Sequence, residues 1–197
     1  MSSEVKEVKK GKFKDTIDSL VVAFVIAMII RAFIIQAYKI PSGSMLNTLL
    51  IGDHILVNKL AYKFGKPKRG DIIVFEWPVE PEKDFIKRVI ATPGDKFQLI
   101  NKKVYINDKP LNEPYAIYKS SFILPGNFTP RDNTESFIIP KGYYFVMGDN
   151  RDSSYDSRYW GFVSEDKIKG KAWIIYWSWD FRDGFKLRLN RVLKVIH

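Results

Sequence analysis

Gly70-Asp71-Ile72-Ile73-Val74-Phe75-Glu76-Trp77-Pro78 decides the fold class. A glycine-led turn opens it, β-branched and aromatic residues follow with no helical period, and proline closes it where its missing N–H would interrupt a ladder. The same punctuation recurs outward in both directions. Residues 55–57 run into Asn58-Lys59-Leu60, and residues 84–92 stop at the turn Pro93-Gly94-Asp95. Residues 97–100 and 104–106 flank Asn101-Lys102-Lys103 as a hairpin, and residues 143–147 and 173–179 are further aromatic and β-branched strands. Residues 107–136 are rich in Asn, Pro, Ser and Asp and read as loops with one or two edge strands. Apart from a helical turn at 164–168, nothing in this part has helical periodicity, so the expected fold class is all-β, without internal repeats.

Upstream the character changes. Residues 20–35 read LVVAFVIAMIIRAFII, broken only by Arg31. Extended through Ile17 and Tyr38, with Arg31 reaching toward the far interface, this is a membrane-spanning helix. It is longer than a usual signal-peptide apolar region and no small-x-small site precedes the strands. Lys6, Lys9, Lys10, Lys12 and Lys14 lie before it, against Arg31 and Lys39 after it, which favours an N-terminus inside the cytoplasm. The expected organisation is a basic cytoplasmic tail at 1–17, a transmembrane anchor at 18–38 and an extracytoplasmic β-rich domain at 39–197.

The formal net charge of +10 admits nucleic acid or anionic lipid as partners. The basic residues are scattered, however, and no zinc finger, Arg-rich arm or phosphate loop accompanies them, so nucleic acid is not expected. The chain has no cysteine, which removes disulfides, thiol nucleophiles and thiolate metal sites. Neither a protein-bound metal nor a cofactor is expected.

Between anchor and first strand lies Pro41-Ser42-Gly43-Ser44-Met45. Hydroxyls around a glycine, entered through a proline, describe either an ordinary turn or a bend presenting a nucleophile. A serine nucleophile needs a proton acceptor. His54 sits in an alternating stretch and reads as a strand-face residue, and His197 is the last residue. The other acceptor is Lys87, which alternation places on one face with Phe85 and Val89. A lysine there either snorkels at an edge or is desolvated enough to be neutral.

Three segments in order resemble the signatures of bacterial type I signal peptidases: Ser42-Gly43-Ser44-Met45 with Thr48-Leu49, Asp84-Phe85-Ile86-Lys87-Arg88 with Pro93-Gly94-Asp95, and Gly148-Asp149-Asn150-Arg151-Asp152-Ser153-Ser154 with Asp156-Ser157-Arg158-Tyr159-Trp160-Gly161. The resemblance covers roughly residues 18–177. It implies a serine/lysine-dyad endopeptidase, anchored in the bacterial cytoplasmic membrane, that removes signal peptides from exported preproteins after a small-x-small motif. By the same resemblance Ser44 is the nucleophile and Lys87 the general base, Ser42 and the Ser44 N–H form the oxyanion hole, and Ser154 orients the lysine. Asp149, Arg151, Asp156 and Arg158 become a supporting charged cluster, with Asp149 and Arg158 as the expected ion pair. The substrate-binding residues it implies are Ile40, Pro41, Met45, Leu49 and Ile86 for the first position before the cut, Tyr38, Val74 and Ile86 for the third, and Phe85 beside them. An extended substrate would pair near residues 40–42 and 84–86. Trp173, Trp177 and Trp179 are either core or an apolar rim resting on lipid.

Membrane lipid and exported preproteins are the implied partners, near the secretion translocon, and the oligomeric state is left open. The interval from Arg88 to Gly148 has no room for the large β-lobe of some family members. Two competing readings are a self-cleaving repressor-type Ser/Lys protease, which calls for a helical DNA-binding domain where this chain has an apolar span, and a non-enzymatic membrane-anchored β module, which leaves Ser44 and Lys87 unrelated.

Overall fold

The computed structural model describes residues 2–180 and 184–197, with side chains from residue 15 onward. The charged side chains of the expected tail before residue 15 lie outside the described residues. The chain opens with α1 (Ser2–Phe33), then β1 (Ile35–Lys39), β2 (Asp53–Asn58), β3 (Ile72–Glu76), β4 (Asp84–Ala91), β5 (Lys96–Ile100), β6 (Lys103–Ile106) and β7 (Lys109–Pro110). It continues through β8 (Phe137–Ile138), β9 (Tyr143–Met147), the short helix α2 (Ser157–Trp160), β10 (Val163–Ser164), β11 (Ile168–Asp180), β12 (Lys186–Leu187) and β13 (Lys194–Val195). The protein is therefore predominantly β behind one N-terminal apolar helix.

Asp15–Phe33 is the part of α1 long and apolar enough to cross a membrane, and none of it is buried against the β-structure. Its 19 residues span about 28 Å at 1.5 Å per residue, close to the hydrocarbon thickness of a bilayer. The helix does not continue through Tyr38 as the sequence suggested. Ile35–Lys39 alternates, and β1 pairs antiparallel with β2 from Ile35↔Asn58 to Lys39↔His54. A partner strand satisfies that backbone as well as a further helical turn would. Tyr38 thus belongs to the sheet, its hydroxyl donating to Asp84 at 3.1 Å.

Nine strands form one sheet in the order β1-β2-β11-β3-β4-β9-β10, with β12 and β13 also paired to β11. β11 is its spine and is longer than the apolar run 173–179 indicated, because Lys169 and Lys171 interrupt the pattern. Their amines instead reach Asp84 at 2.8 Å and Asp71 at 2.6 Å. The continuous apolar run of β3 reflects burial on both faces. Ile72 and Val74 join Ile40, Met45, Leu49, Ile55, Val57, Ala172, Ile175 and Ile196 in one core, and Ile73 and Phe75 join Val89, Tyr144, Val146 and Val163 in another.

The interval from Arg88 to Gly148, too short for a large lobe, still builds a separate four-stranded sheet, β7-β6-β5-β8. A third core, including Phe97, Leu99, Val104 and Phe145, joins it to the main sheet. The β5–β6 hairpin closes one residue tighter than the sequence suggested, with Ile100 opposite Lys103. Asn101 and Lys102 both take positive φ, at 49° and 68°, as a two-residue turn of this hand requires.

Candidate active site

Thirteen residues lie between the ends of β1 and β2, and they carry the Pro41-to-Met45 bend. Met45 and Leu49 anchor the segment by filling the first core, and its ends close through hydrogen bonds from Ile40 N to Asp53 O at 2.8 Å and Gly52 N to Ile40 O at 2.9 Å. Ser44, directly before the Met45 anchor, is thereby held buried beside the sheet. From the other side β4 presents Lys87, opposite Ile73 of β3. Lys87 Nζ lies 2.9 Å from Ser44 Oγ and 3.0 Å from Ile86 O.

Lys87 is only 4% exposed, and its amine stands 5.2 Å from the centre of the Phe85 ring. Burial pushes its pKa from 10.5 down to about 8; Asp156 and Asp149 pull it back up, while Arg158 lowers it further. The neighbouring cation is thus Arg158, not the Arg88 or Arg151 that proximity in sequence suggests. An amine near pH 8 within hydrogen-bond reach of a hydroxyl can accept its proton.

β4 pairs with β3 over Asp84 through Arg88, whereas its pairing with β9 begins only at Arg88↔Met147. Residues 84–87 consequently leave one backbone edge without a strand partner among the described residues, alongside Ser44. Tyr38 and Ile86 pack against the core that contains Ile40, Met45, Leu49 and Val74. Of the expected substrate-binding residues, these six come together. Pro41 is exposed at the bend, and Phe85 packs elsewhere, with the second core and stacked on Trp77 at 4.7 Å. Ser42 is exposed.

The family model described as signal peptidase, peptidase S26, matches residues 13–177. The chain belongs to this family. It is 39% identical over 185 residues to signal peptidase IB of Staphylococcus aureus, covering 89% of this chain and 96% of that protein. Identity to signal peptidase I of Aquifex aeolicus is 37% over 202 residues, covering 77% and 79%. A crystal structure of a signal peptidase I from Enterococcus faecalis V583 is 32% identical with a TM-score of 0.43, covering 54% of this chain and 96% of that one. Membership of the signal peptidase family supports a serine-protease function, and with the single apolar helix it supports a single-pass protein of the inner membrane.

Beneath the site of this signal peptidase family member, the charged cluster is wired differently from the expectation. Asp149 does not pair with Arg158. It accepts from Arg88 Nε and Nη2, both at 2.8 Å, because the Arg88↔Met147 register brings residues 147 and 149 to the face Arg88 occupies. Arg158 pairs with Asp156, Nε to Oδ1 at 2.8 Å and Nη2 to Oδ2 at 2.9 Å. This is a local consequence of Asp156 capping α2, where its side chain also accepts from the Arg158 N–H. Burial works against the Asp156 carboxylate, but Arg158 and the Gly148 N–H more than offset it and hold its pKa below the usual range. Arg151 pairs with Glu113, a partner outside the three motifs.

Ser154 is buried but makes no hydrogen bond to Lys87. Its hydroxyl has no partner in hydrogen-bonding geometry, although it lies close enough to Asp156 to favour that carboxylate's charge. Gly148 lets these parts meet, since a side chain there would collide with Ser154 and with the Ser44 carbonyl. The motifs alone give no hydrogen-bond partner for Thr48, Arg88 or Asn150. Thr48 donates to Asp149, and Asn150 grips the Ser44 segment. All three were visible as polar residues inside the motifs, but only the fold reveals their partners. His54 sits on a strand face edge-on to Trp179 at 5.2 Å.

Proposed function

We propose that the protein is a Ser/Lys endopeptidase that removes signal peptides from exported preproteins after a small-x-small motif. The observation that carries this is the 2.9 Å approach of a buried lysine amine to Ser44 Oγ. Neutral Lys87 takes the Ser44 hydroxyl proton as Oγ bonds to the scissile carbonyl carbon, and the carbonyl π pair moves onto oxygen. The Ser44 N–H and the Ser42 hydroxyl receive that oxyanion. Collapse breaks the C–N bond, Lys87 returns its proton to the leaving amine, and water hydrolyses the acyl-enzyme by the same steps in reverse. Asp149, Arg151, Asp156 and Arg158 keep the strand end and α2 rigid around the Lys87 amine.

The substrate lies extended along the unpaired edge at residues 84–86 and against residues 40–42, as an added strand. Its small side chains face the partly exposed Ile86 for the first position and Tyr38 and Ile86 for the third, over a floor whose buried layer is Ile40, Met45, Leu49 and Val74, with Pro41 and Phe85 at the margins. The β-structure lies on the extracytoplasmic face, near the translocon. A non-enzymatic β module offers no reason to bury a lysine against a serine, since a buried amine costs stability. The test is cleavage of a preprotein in detergent micelles by wild type, Ser44→Ala and Lys87→Ala. Both variants are expected to fold and to be inactive, and cleavage by either at more than a few per cent of the wild-type rate removes the dyad.

A further inference from the structure

Asn150 stands in the third motif without an assigned task, yet it touches the peptide groups on both sides of Ser44. Its Nδ2 donates to Gly43 O at 2.9 Å, and its backbone N–H donates to Ser44 O at 3.0 Å. Gly43 O also accepts from Leu46 N at 3.3 Å. In a trans peptide the C=O and N–H point in opposite directions. Holding Gly43 O against Asn150 therefore turns the Ser44 N–H, the far end of the same peptide, away from Asn150, and no acceptor for that N–H is found among the described residues.

We propose that Asn150 is a positioning residue for the reaction: its side-chain amide sets the plane of the Gly43–Ser44 peptide and so aims the Ser44 N–H at the developing oxyanion. This rests on the Ser/Lys reading above and extends it from the groups that react to the group that orients one of them. Asn150 is equipped to hold a plane. It is 1% exposed, its carbonyl accepts from Ser153 N at 3.0 Å, and it bridges to Ile117. The preceding residue, Asp149, is clamped by Arg88.

The other end of the amide argues for function over packing. Asn150 Oδ1 is buried without a hydrogen-bond partner. A residue selected only to fill space would avoid that cost, and turning the amide over would set two oxygens against each other at Gly43. The donor at Gly43 O is what the position retains.

The experiment compares wild type, Asn150→Leu, Asn150→Asp and Ser44→Ala, as full chains in detergent micelles. It measures kcat, KM and the pH profile on a signal-peptide substrate, affinity for a peptide aldehyde that forms a tetrahedral adduct, and affinity for an uncleavable peptide of the same sequence. For Asn150→Leu, kcat should fall on the order of 10²-fold, as for a misplaced oxyanion donor. KM and uncleavable-peptide affinity should stay near wild type, the limb rising with pH should not move, and aldehyde affinity should fall in step with kcat/KM. Asn150→Asp, which keeps the size and loses the donor, should lose at least as much kcat and decides the question if Asn150→Leu does not fold.

Wild-type kcat in folded Asn150→Asp, or a loss of kcat with aldehyde affinity unchanged, overturns the inference. So does a loss matched by the fall in folded fraction seen by near-UV circular dichroism. Activity in Ser44→Ala would instead overturn the Ser/Lys reading itself, so the two failures are distinguishable.

Discussion

At the scale of single residues, Lys87 is the point where stability and chemistry conflict. Its pKa is pushed down to about 8 from 10.5, so the unfolded chain holds the proton more tightly between those values. Burial of the ammonium therefore costs stability fully below about pH 8, and the cost is relieved as pH rises toward 10.5. Catalysis should show the same ionisation. The kcat/KM of wild type should rise with pH through about 8 and show no histidine-like limb near 6.5. Lys87→Met should be inactive and, by denaturant titration, more stable than wild type by about 3 kcal/mol at neutral pH, the difference closing toward pH 10.5. A stability difference that does not change with pH would contradict this. Ser42 tests a separate part of the site. Ser42→Ala should keep the dyad and lose one oxyanion donor, a fall of about 10²-fold in kcat with KM little changed; wild-type kcat would show that the hole is built from other groups.

At the scale of elements, the segment carrying Ser44 is held from two directions. The end of β9 and the turn after it grip its first half through Asn150. The chain after β11 grips its second half, although it lies beyond the part matched by the family model, which ends at residue 177. Arg191 donates to Thr48 O at 2.9 Å and to Asp53 Oδ2 at 2.6 Å, Arg188 donates to Ile51 O at 2.6 Å, and Ile196 enters the first core. Asp53 is fully buried, so removing its guanidinium partner leaves a poorly compensated charge. Arg191→Ala should cost about 3 kcal/mol, measured by urea unfolding at pH 7, and Asp53→Asn combined with Arg191→Ala should cost less than the sum of the two single changes. Strict additivity would show that the ion pair does not hold this segment.

At the scale of the molecule, the apolar part of α1 is exposed, touches the β-structure only near its end, where Lys59 Nζ donates to Ala32 O at 2.6 Å, and is followed by β1 after one residue, so a helix that spans the bilayer would leave only a short connection between membrane and sheet. The proposed topology puts the lysine-rich end inside, and on it protease added to intact spheroplasts should degrade the chain after residue 40 and spare a short N-terminal piece; protection of the β-structure would reverse the orientation. The sequence by itself determined the class of each long element, because apolar runs, β-branched strands and glycine-proline turns depend on contacts within a few residues. It also marked Ser44 and Lys87 as candidates, since Pro41-to-Met45 and the alternation of β4 are local patterns. Tertiary structure decided what those patterns meet. Whether residues 35–39 continue a helix or pair with β2, whether Asp149 takes Arg88 or Arg158, and whether Lys87 is snorkelled or buried all depend on strand register. Register joins residues tens of positions apart, and there no local preference discriminates between partners of equal charge. Only the packed sheet selects one.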